Sequence, residues 1–267
     1  MYSVGELAGQ LRQLGLSERS GVVLVHASLR TLGEVEHGSA GVLAALRSAL
    51  GPGGTLLAFT GTPENSDTSR LDAVATRGLD RAALAAYRRA MPPFDPLTTP
   101  SSPSMGRLSE ELRTAPGALR SAHPQTSFAA LGPMSGALIA DHPLDCHLGE
   151  RSPIGRLYKA GGQVLMLGAS MDRCTVLHLA QYRVPGAPRK RYGCQVTGPD
   201  GAPHWVRFEG LDLDDVHFPR LLAAIRGQLT EARSGRVGDA DCLLLSAVQS
   251  VDAATEWLVQ HPQALGL

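Results

Sequence analysis

Twice along this chain a capped amphipathic helix and a short apolar run are joined by a glycine turn. That order restricts the fold more than any other feature. "GVVLVHAS" (Gly21–Ser28) is an apolar run of strand length that enters a polar loop at Ser28. "SAGVLAALRSAL" follows with helical spacing, "GPGG" closes it, and "TLLAFT" is a second strand. The unit returns later: Ser152 and Pro153 open "IGRLYKA", "GG" closes it, and "QVLMLGA" is again a strand. Serine at the N-cap, proline at the first helical position and glycine past the end are the expected helix punctuation. Upstream, Leu7 to Leu16 reads as one more amphipathic helix. Strands alternating with helices predict an α/β fold, with a central, partly parallel sheet flanked by helices.

Residues 63–103 interrupt the alternation. "PENSDTSR" is polar, "LDRAALAAYRRA" is helical, and "MPPFDPLTTPSSP" is dense in proline and serine. Met91 and Phe94 give this stretch something to bury, so it reads as a lid-like insertion over the sheet edge rather than a linker. "GCQVTGPDGAPHWVRFEG" holds two β-like runs around a turn and predicts a hairpin, and "FPRLLAAIRGQL" and "DAATEWLVQH" are late helices. No linker divides the chain, so residues 1–267 are read as a single domain.

Lys+Arg and Asp+Glu are 25 each, and aromatics are 4% of the 267 residues. Such a chain offers neither the charge nor the stacking platforms for nucleic acid. The N-terminus lacks the basic start and apolar core of a secretory signal, and no apolar run approaches membrane-span length. The four cysteines, Cys146, Cys174, Cys194 and Cys242, are scattered. A cytoplasmic, reducing setting is expected, with no membrane partner.

Four segments invite chemistry. "GPGGT" follows a helix and precedes a strand, the reverse of a phosphate loop, and reads as a helix stop. "VHASLRTLGEV" runs from a strand into a loop with Ser28, Arg30 and Gly33, where α/β proteins bind ligands; an ordinary capped connection is the alternative. "DHPLDCHLGE" groups His142, Asp145, Cys146 and His147 but fits no zinc frame, so no metal is expected. "SMDRCTVLHLAQYR" places Asp172, Cys174 and Thr175 just after a strand, with His178 one turn on. In one continuous helix, Thr175 and His178 would share a face. His178 then reads as a base for an amine or thiol proton, as the partner of a Cys174 nucleophile, or as a core histidine at a polar helix start.

In order along the chain, "VHASLRTLG", "GPGGTLL", "FDPLTTPSSPSMGRLSEELR", "RSAHPQTSFAALGP", "HPLD", "SPIGRLY" and "GQVLMLGASMDRCTVLHLAQ" resemble the aminoglycoside 3-N-acetyltransferase family. The resemblance runs from about Gly5 to the C-terminal helices. It implies an acetyl-CoA-dependent acyltransferase, unrelated to the common GNAT fold, that acetylates the 3-amino group of aminoglycosides and so confers resistance. It implies two small-molecule partners, acetyl-CoA and a cationic amine, in a monomer or homodimer. The family motif, roughly D-x-x-T-x-x-H-x-x-E, puts Asp172, Thr175 and His178 on its first three marked positions, with His178 as general base. Its glutamate falls on Gln181, which keeps hydrogen bonding but brings no charge.

The resemblance further implies that coenzyme A is held by His26, Ala27, Ser28, Leu29 and Arg30 and by Ser104, Met105, Gly106 and Arg107. Ser28 and Ser104 would meet the pyrophosphate or pantetheine amides, and Arg30 and Arg107 would pair with phosphate. His123, before a proline in "SAHP", is expected to be structural or to position the cofactor. The acceptor side would include Glu64, Asp67, Asp172, Gln181 and Asp214, with Asp215 beside it. Three other functions fit some of these residues: acylation of a different amine in natural-product biosynthesis, a Cys174-dependent amide or thioester hydrolase, and a non-catalytic coenzyme A-binding protein.

Overall fold

A computed structural model describes all 267 residues. Helix α1 (Val4–Leu14) opens on a capping box between Ser3 and Glu6 and stops at left-handed Gly15. The box starts it three residues before the predicted Leu7. Strand β1 (Val22–Ala27), helix α2 (Gly38–Leu50) and strand β2 (Thr55–Phe59) follow as expected. Within the insertion lie α3 (Arg70–Ala75) and α4 (Arg81–Arg89). Helix α5 (Arg107–Thr114), strands β3 (Leu119–Arg120) and β4 (Phe128–Leu131) and helix α6 (Ser135–Ile139) lead to the second repeat. There α7 (Pro153–Lys159) starts at the Ser152 cap, and β5 (Gln163–Leu167) follows. Helix α8 (His178–Tyr182), strands β6 (Arg189–Thr197) and β7 (Pro203–Leu211), helix α9 (Phe218–Ile225), strands β8 (Arg233–Val237) and β9 (Ala240–Ser246) and helix α10 (Ala247–Gln260) complete the chain.

Seven strands form one sheet in the order β3-β4-β2-β1-β5-β9-β8. β1 runs parallel to both β2 and β5, and the outer pairings are antiparallel. The central strands read as nearly continuous apolar runs because both faces are covered. One face carries α1, α2 and α5 with Leu7, Leu46 and Leu112; the other packs against Ile154, Leu177, Phe218 and Trp257. The parallel strands therefore end together, at Ala27, Phe59 and Leu167.

One feature refines the sequence reading and one departs from it. The insertion docks on the free edge of the β6–β7 hairpin, a separate two-stranded sheet, and its Thr99 and Phe94 also meet Arg120 of the main sheet's edge strand β3. Ser66 bridges Cys194 and Phe94 bridges Val196. Asn65 Nδ2 donates to the Gln195 carbonyl at 3.2 Å and Ser66 Oγ to that of Gly193 at 3.0 Å. The outer edge of β6, unpaired within the hairpin, has backbone hydrogen bonds to offer. Met91 and Phe94 are buried there, as their apolarity predicts.

The stretch after β5 is not one helix. Two single 3-10 turns, Met171–Arg173 and Thr175–Leu177, precede α8, with an extended residue at Cys174 (φ −72°, ψ 90°) between them. The break turns the Cys174 thiol into the core and leaves the Thr175 amide to donate to His26 Nε2 at 3.3 Å.

Candidate active site

The ends of β1 and β5 are tied together. Ser28 N–H donates to the Leu167 carbonyl at 2.9 Å, and Thr31 Oγ1 donates to the Ser28 carbonyl at 2.7 Å. Gly168 adopts φ +65°, and a Cβ there would lie 2.0 Å from Thr31 Oγ1, so only glycine fits this join. Half-buried His26 closes the join from above; burial pushes its pKa down to about 4, so it accepts the Thr175 amide as a neutral ring.

His178 starts α8 beside this join. Its ring packs on Phe218, with centroids 4.8 Å apart, and its Nδ1 meets Gln181 Oε1 at 3.0 Å. Gln181, 1% exposed, directs its amide nitrogen at the Asp214 carbonyl (2.5 Å) and at His217 Nε2 (3.2 Å). A backbone carbonyl only accepts, so the NH2 group must face Asp214 and the oxygen must face His178. His178 therefore carries its proton on Nδ1 and keeps a lone pair on Nε2, to which no group of the chain is bonded. Burial lowers its pKa, outweighing the Gln181 hydrogen bond and the charges of Asp215 and Asp214, so the ring is neutral at pH 7.

Of the other motif residues, Thr175 is buried, and Asp172 is half-buried with a buried Oδ1 that receives no hydrogen bond. Asp172 makes no hydrogen bond to His178; the carboxylates whose charges reach that ring are Asp215 and Asp214. Cys174 is fully buried in the core and its thiol is pushed up to about 12 by burial. A thiol without solvent access or thiolate character is no nucleophile, which removes the hydrolase reading.

The acidic groups divide. Asp67 lies in a 2.6 Å ion pair with Arg207 of the hairpin, its side chain only 4% exposed, and anchors the insertion. Glu64 accepts from Ser102 Oγ at 2.5 Å, and Ser102 in turn meets Ser104 Oγ at 2.8 Å. Asp214 and Asp215, in the loop after β7, face Arg70 of the insertion at 3.7 and 2.9 Å.

The two segments expected to hold a cofactor converge. Gly106 (φ +85°) precedes α5, and a Cβ there would point at the Ala27 carbonyl, 3.6 Å away. Beside this seam Leu29 and Met105 are half-buried and Ser28 is partly exposed. Arg30 and Arg107 are exposed, and neither is in an ion pair. His123 is elsewhere: it is fully buried, with Nε2 on the Leu144 carbonyl at 3.2 Å and Nδ1 accepting the Gln125 and Thr126 amides. Both ring nitrogens are thus engaged by the chain itself.

Residues 24–259 match the family model for aminoglycoside 3-N-acetyltransferase. Aminoglycoside N(3)-acetyltransferase III of Serratia marcescens is 36% identical, with 98% of each chain covered. The YokD protein of Bacillus subtilis superposes with a TM-score of 0.89 at 30% identity, covering 98% of this chain and 94% of that one. An AAC-IIIb solved as a binary complex with CoASH gives 0.84 at 33% identity over 97% of both chains. The chain belongs to the aminoglycoside 3-N-acetyltransferase family. In this acetyltransferase-family chain Asp172, Thr175 and His178 follow β5, with Thr175 tied to His26 of β1 and His178 tied to Gln181. His217 and Arg70 escaped the sequence reading. They lie in a loop and in the insertion, far from the motif and without spacing that would link them to it.

Proposed function

We propose that this protein transfers the acetyl group of acetyl-CoA to the 3-amino group of an aminoglycoside, with His178 as general base. The observation that carries the base assignment is the neutral His178 ring, whose proton is fixed on Nδ1 and whose Nε2 is bare. An ammonium is no nucleophile, so the amine must first lose one proton to solvent, and a second must leave its nitrogen as it attacks the thioester carbonyl. Acetyl-CoA supplies that activated acyl carbon: a C–N bond forms, the C–S bond breaks and the thiolate leaves. His178 Nε2 takes that second proton and, as imidazolium, returns it to the departing sulfur. Asp214 and Asp215 favour the charged ring while it exists.

The Gly106–Ala27 seam suits coenzyme A, because it lies at the strand end before α5 and two arginines in no ion pair flank it. Ser28, Ser104 and the amides opening α5 would meet phosphate oxygens or pantetheine amides. On the acceptor side, Glu64 and Asp172 offer carboxylates outside any ion pair, Asp214 and Asp215 share the single charge of Arg70, and the charge of Asp67 is met by Arg207. A second reading keeps the chemistry and changes the acceptor to a less cationic amine. It is favoured by the uncharged Gln181 and by Arg70 already seated on Asp215.

Thiol release from acetyl-CoA, measured across aminoglycosides and simple monoamines, separates the two acceptors. His178→Ala should lower turnover on the order of 10²- to 10⁴-fold, the contribution of a positioned acid–base group. A folded His178→Ala enzyme with most of its turnover at neutral pH would remove His178 from the reaction.

A further inference from the structure

His178 is useful as a base only if its proton sits on Nδ1, and what holds it there lies one residue further out. Gln181 is almost wholly buried, so water does not compete for its amide. All three of its contacts come from the chain: Oε1 at His178 Nδ1, and the two amide hydrogens at the Asp214 carbonyl and at His217 Nε2. Rotating the amide by half a turn would set Oε1 against that carbonyl and against a ring nitrogen that holds a lone pair. It would also aim an N–H at His178 Nδ1. The imidazole proton would then have to move to Nε2, where it blocks the base.

We infer that His217 is a positioning residue for acetyl transfer: by accepting the second Gln181 amide hydrogen, it keeps Gln181 Oε1 on His178 Nδ1–H and leaves Nε2 free. The inference rests on the reading of His178 as base. His217 is suited to the task because it is 8% exposed and its ring is wedged edge-on against Phe218, centroids 5.1 Å apart. Phe218 also packs on His178, so one aromatic spaces both imidazoles. Burial lowers the pKa of His217 against the opposing charges of Asp214 and Asp215, so the ring is neutral and Nε2, facing the Gln181 amide donor, can accept. Asp214 contributes through its main chain, because its carboxylate is occupied by the Val216 amide at 2.6 Å.

The same geometry explains how the family's glutamate position works here as an amide. A carboxylate at 181 would hold an oxygen about where Nε2 now lies 2.5 Å from the Asp214 carbonyl, acceptor against acceptor. Gln181, the Asp214 carbonyl and the acceptor face of His217 form a matched set.

The test uses the whole enzyme. His217→Leu removes the acceptor, and His217→Gln can restore an oxygen near the Nε2 position. Turnover in His217→Leu should fall roughly tenfold or more, a share of what the base itself contributes. The KM for acetyl-CoA should stay within about twofold, and His217→Gln should regain most of the loss. NMR of isotope-labelled imidazole nitrogens, with His178 assigned by difference from His178→Ala, should show Nδ1–H in the wild type and a growing Nε2–H fraction in His217→Leu. Wild-type His178 protonated on Nε2 would overturn the inference even if His217→Leu and His217→Gln misfolded. So would a folded His217→Leu enzyme with unchanged turnover and tautomer. If His178→Ala is inactive in that case, the base assignment stands and this inference alone fails; if His178→Ala is active, the base assignment fails first.

Discussion

Mild acid should loosen this protein at the buried seam between its hairpin and its main body. His123, His142 and His147 are 0%, 8% and 2% exposed, and their rings stack 4.8 and 4.4 Å apart on either side of His123. Tyr192 and Phe208 of the hairpin close over His147 at 4.2 and 5.6 Å. Burial pushes His142 from its ordinary 6.5 to about 4 and His147 to about 3, and it lowers His123 well below 6.5. The sign follows from proton counting. Above 6.5 neither state binds these protons; as pH falls below it, the unfolded chain takes them up while the native rings stay neutral, so stability is lost. At pH 5 this costs roughly 1.5 pH units at about 1.4 kcal/mol each, or about 2 kcal/mol per ring for His142 and His147.

Together these two rings remove about 4 kcal/mol, a large part of a typical 5–15 kcal/mol. For a chain of this size that is a fall in Tm on the order of 10 °C. Glu110, held at about 2 from an ordinary 4.5, does not enter this window, because its loss begins only below its unfolded value. Calorimetric melts at about pH 7.5 and 5 measure the drop, and His147→Phe, which keeps the aromatic packing, should reduce it by about 2 kcal/mol. A Tm that is flat between the two pH values, or an equal drop in folded His147→Phe, would refute the reasoning. Activity should fall with the melt. His147 lies against Gly210, where a Cβ would come within 3.0 Å of the ring, and β7 leads directly into the loop bearing Asp214, Asp215 and His217.

Two more outcomes follow from burial and charge. Cys174→Ala should keep turnover within about twofold and lower stability modestly, since a fully buried thiol pushed up to about 12 has no part in transfer; an acylated Cys174 trapped on mass spectrometry would contradict this. Arg30→Ala and Arg107→Ala should weaken coenzyme A more than its dephospho form if either guanidinium meets the 3′-phosphate; equal losses in a binding titration would place both elsewhere on the cofactor or in structural roles.

The central strands and their flanking helices were legible because each carries local punctuation. Ser152 and Pro153 begin α7, Gly161 and Gly162 end it, and "QVLML" is apolar on both faces. The sheet's outer strands were not legible. Leu119–Arg120 is two residues long, and "RSGRV" has a polar, exposed face, so neither shows a strand period. Their pairing is decided by β4 and β9, which offer free edges that only the assembled sheet creates. The hairpin was readable from its turn, but its separation from the main sheet was not. The insertion occupies the outer edge of β6 through Ser66 and Phe94, contacts that span more than a hundred residues of sequence.

The site shows the same division between chemistry and position. Asp172, Thr175 and His178 were readable as a group because their spacing is local, although the local structure is two short turns broken at Cys174 rather than a helix. Gln181 was visible as an uncharged residue at an acidic position, and from sequence that reads as a missing charge. In the fold it is an orienting amide, because the Asp214 carbonyl and His217 Nε2 both demand a donor at the place where a carboxylate has none. Charge for the imidazolium then comes from Asp214 and Asp215 across the site instead of from residue 181. A carboxylate bonded to Nδ1 would stabilise the protonated base and raise its pKa. An amide there fixes the tautomer while the pKa stays below its ordinary value, so His178 remains neutral at neutral pH, the form the proposed base role requires.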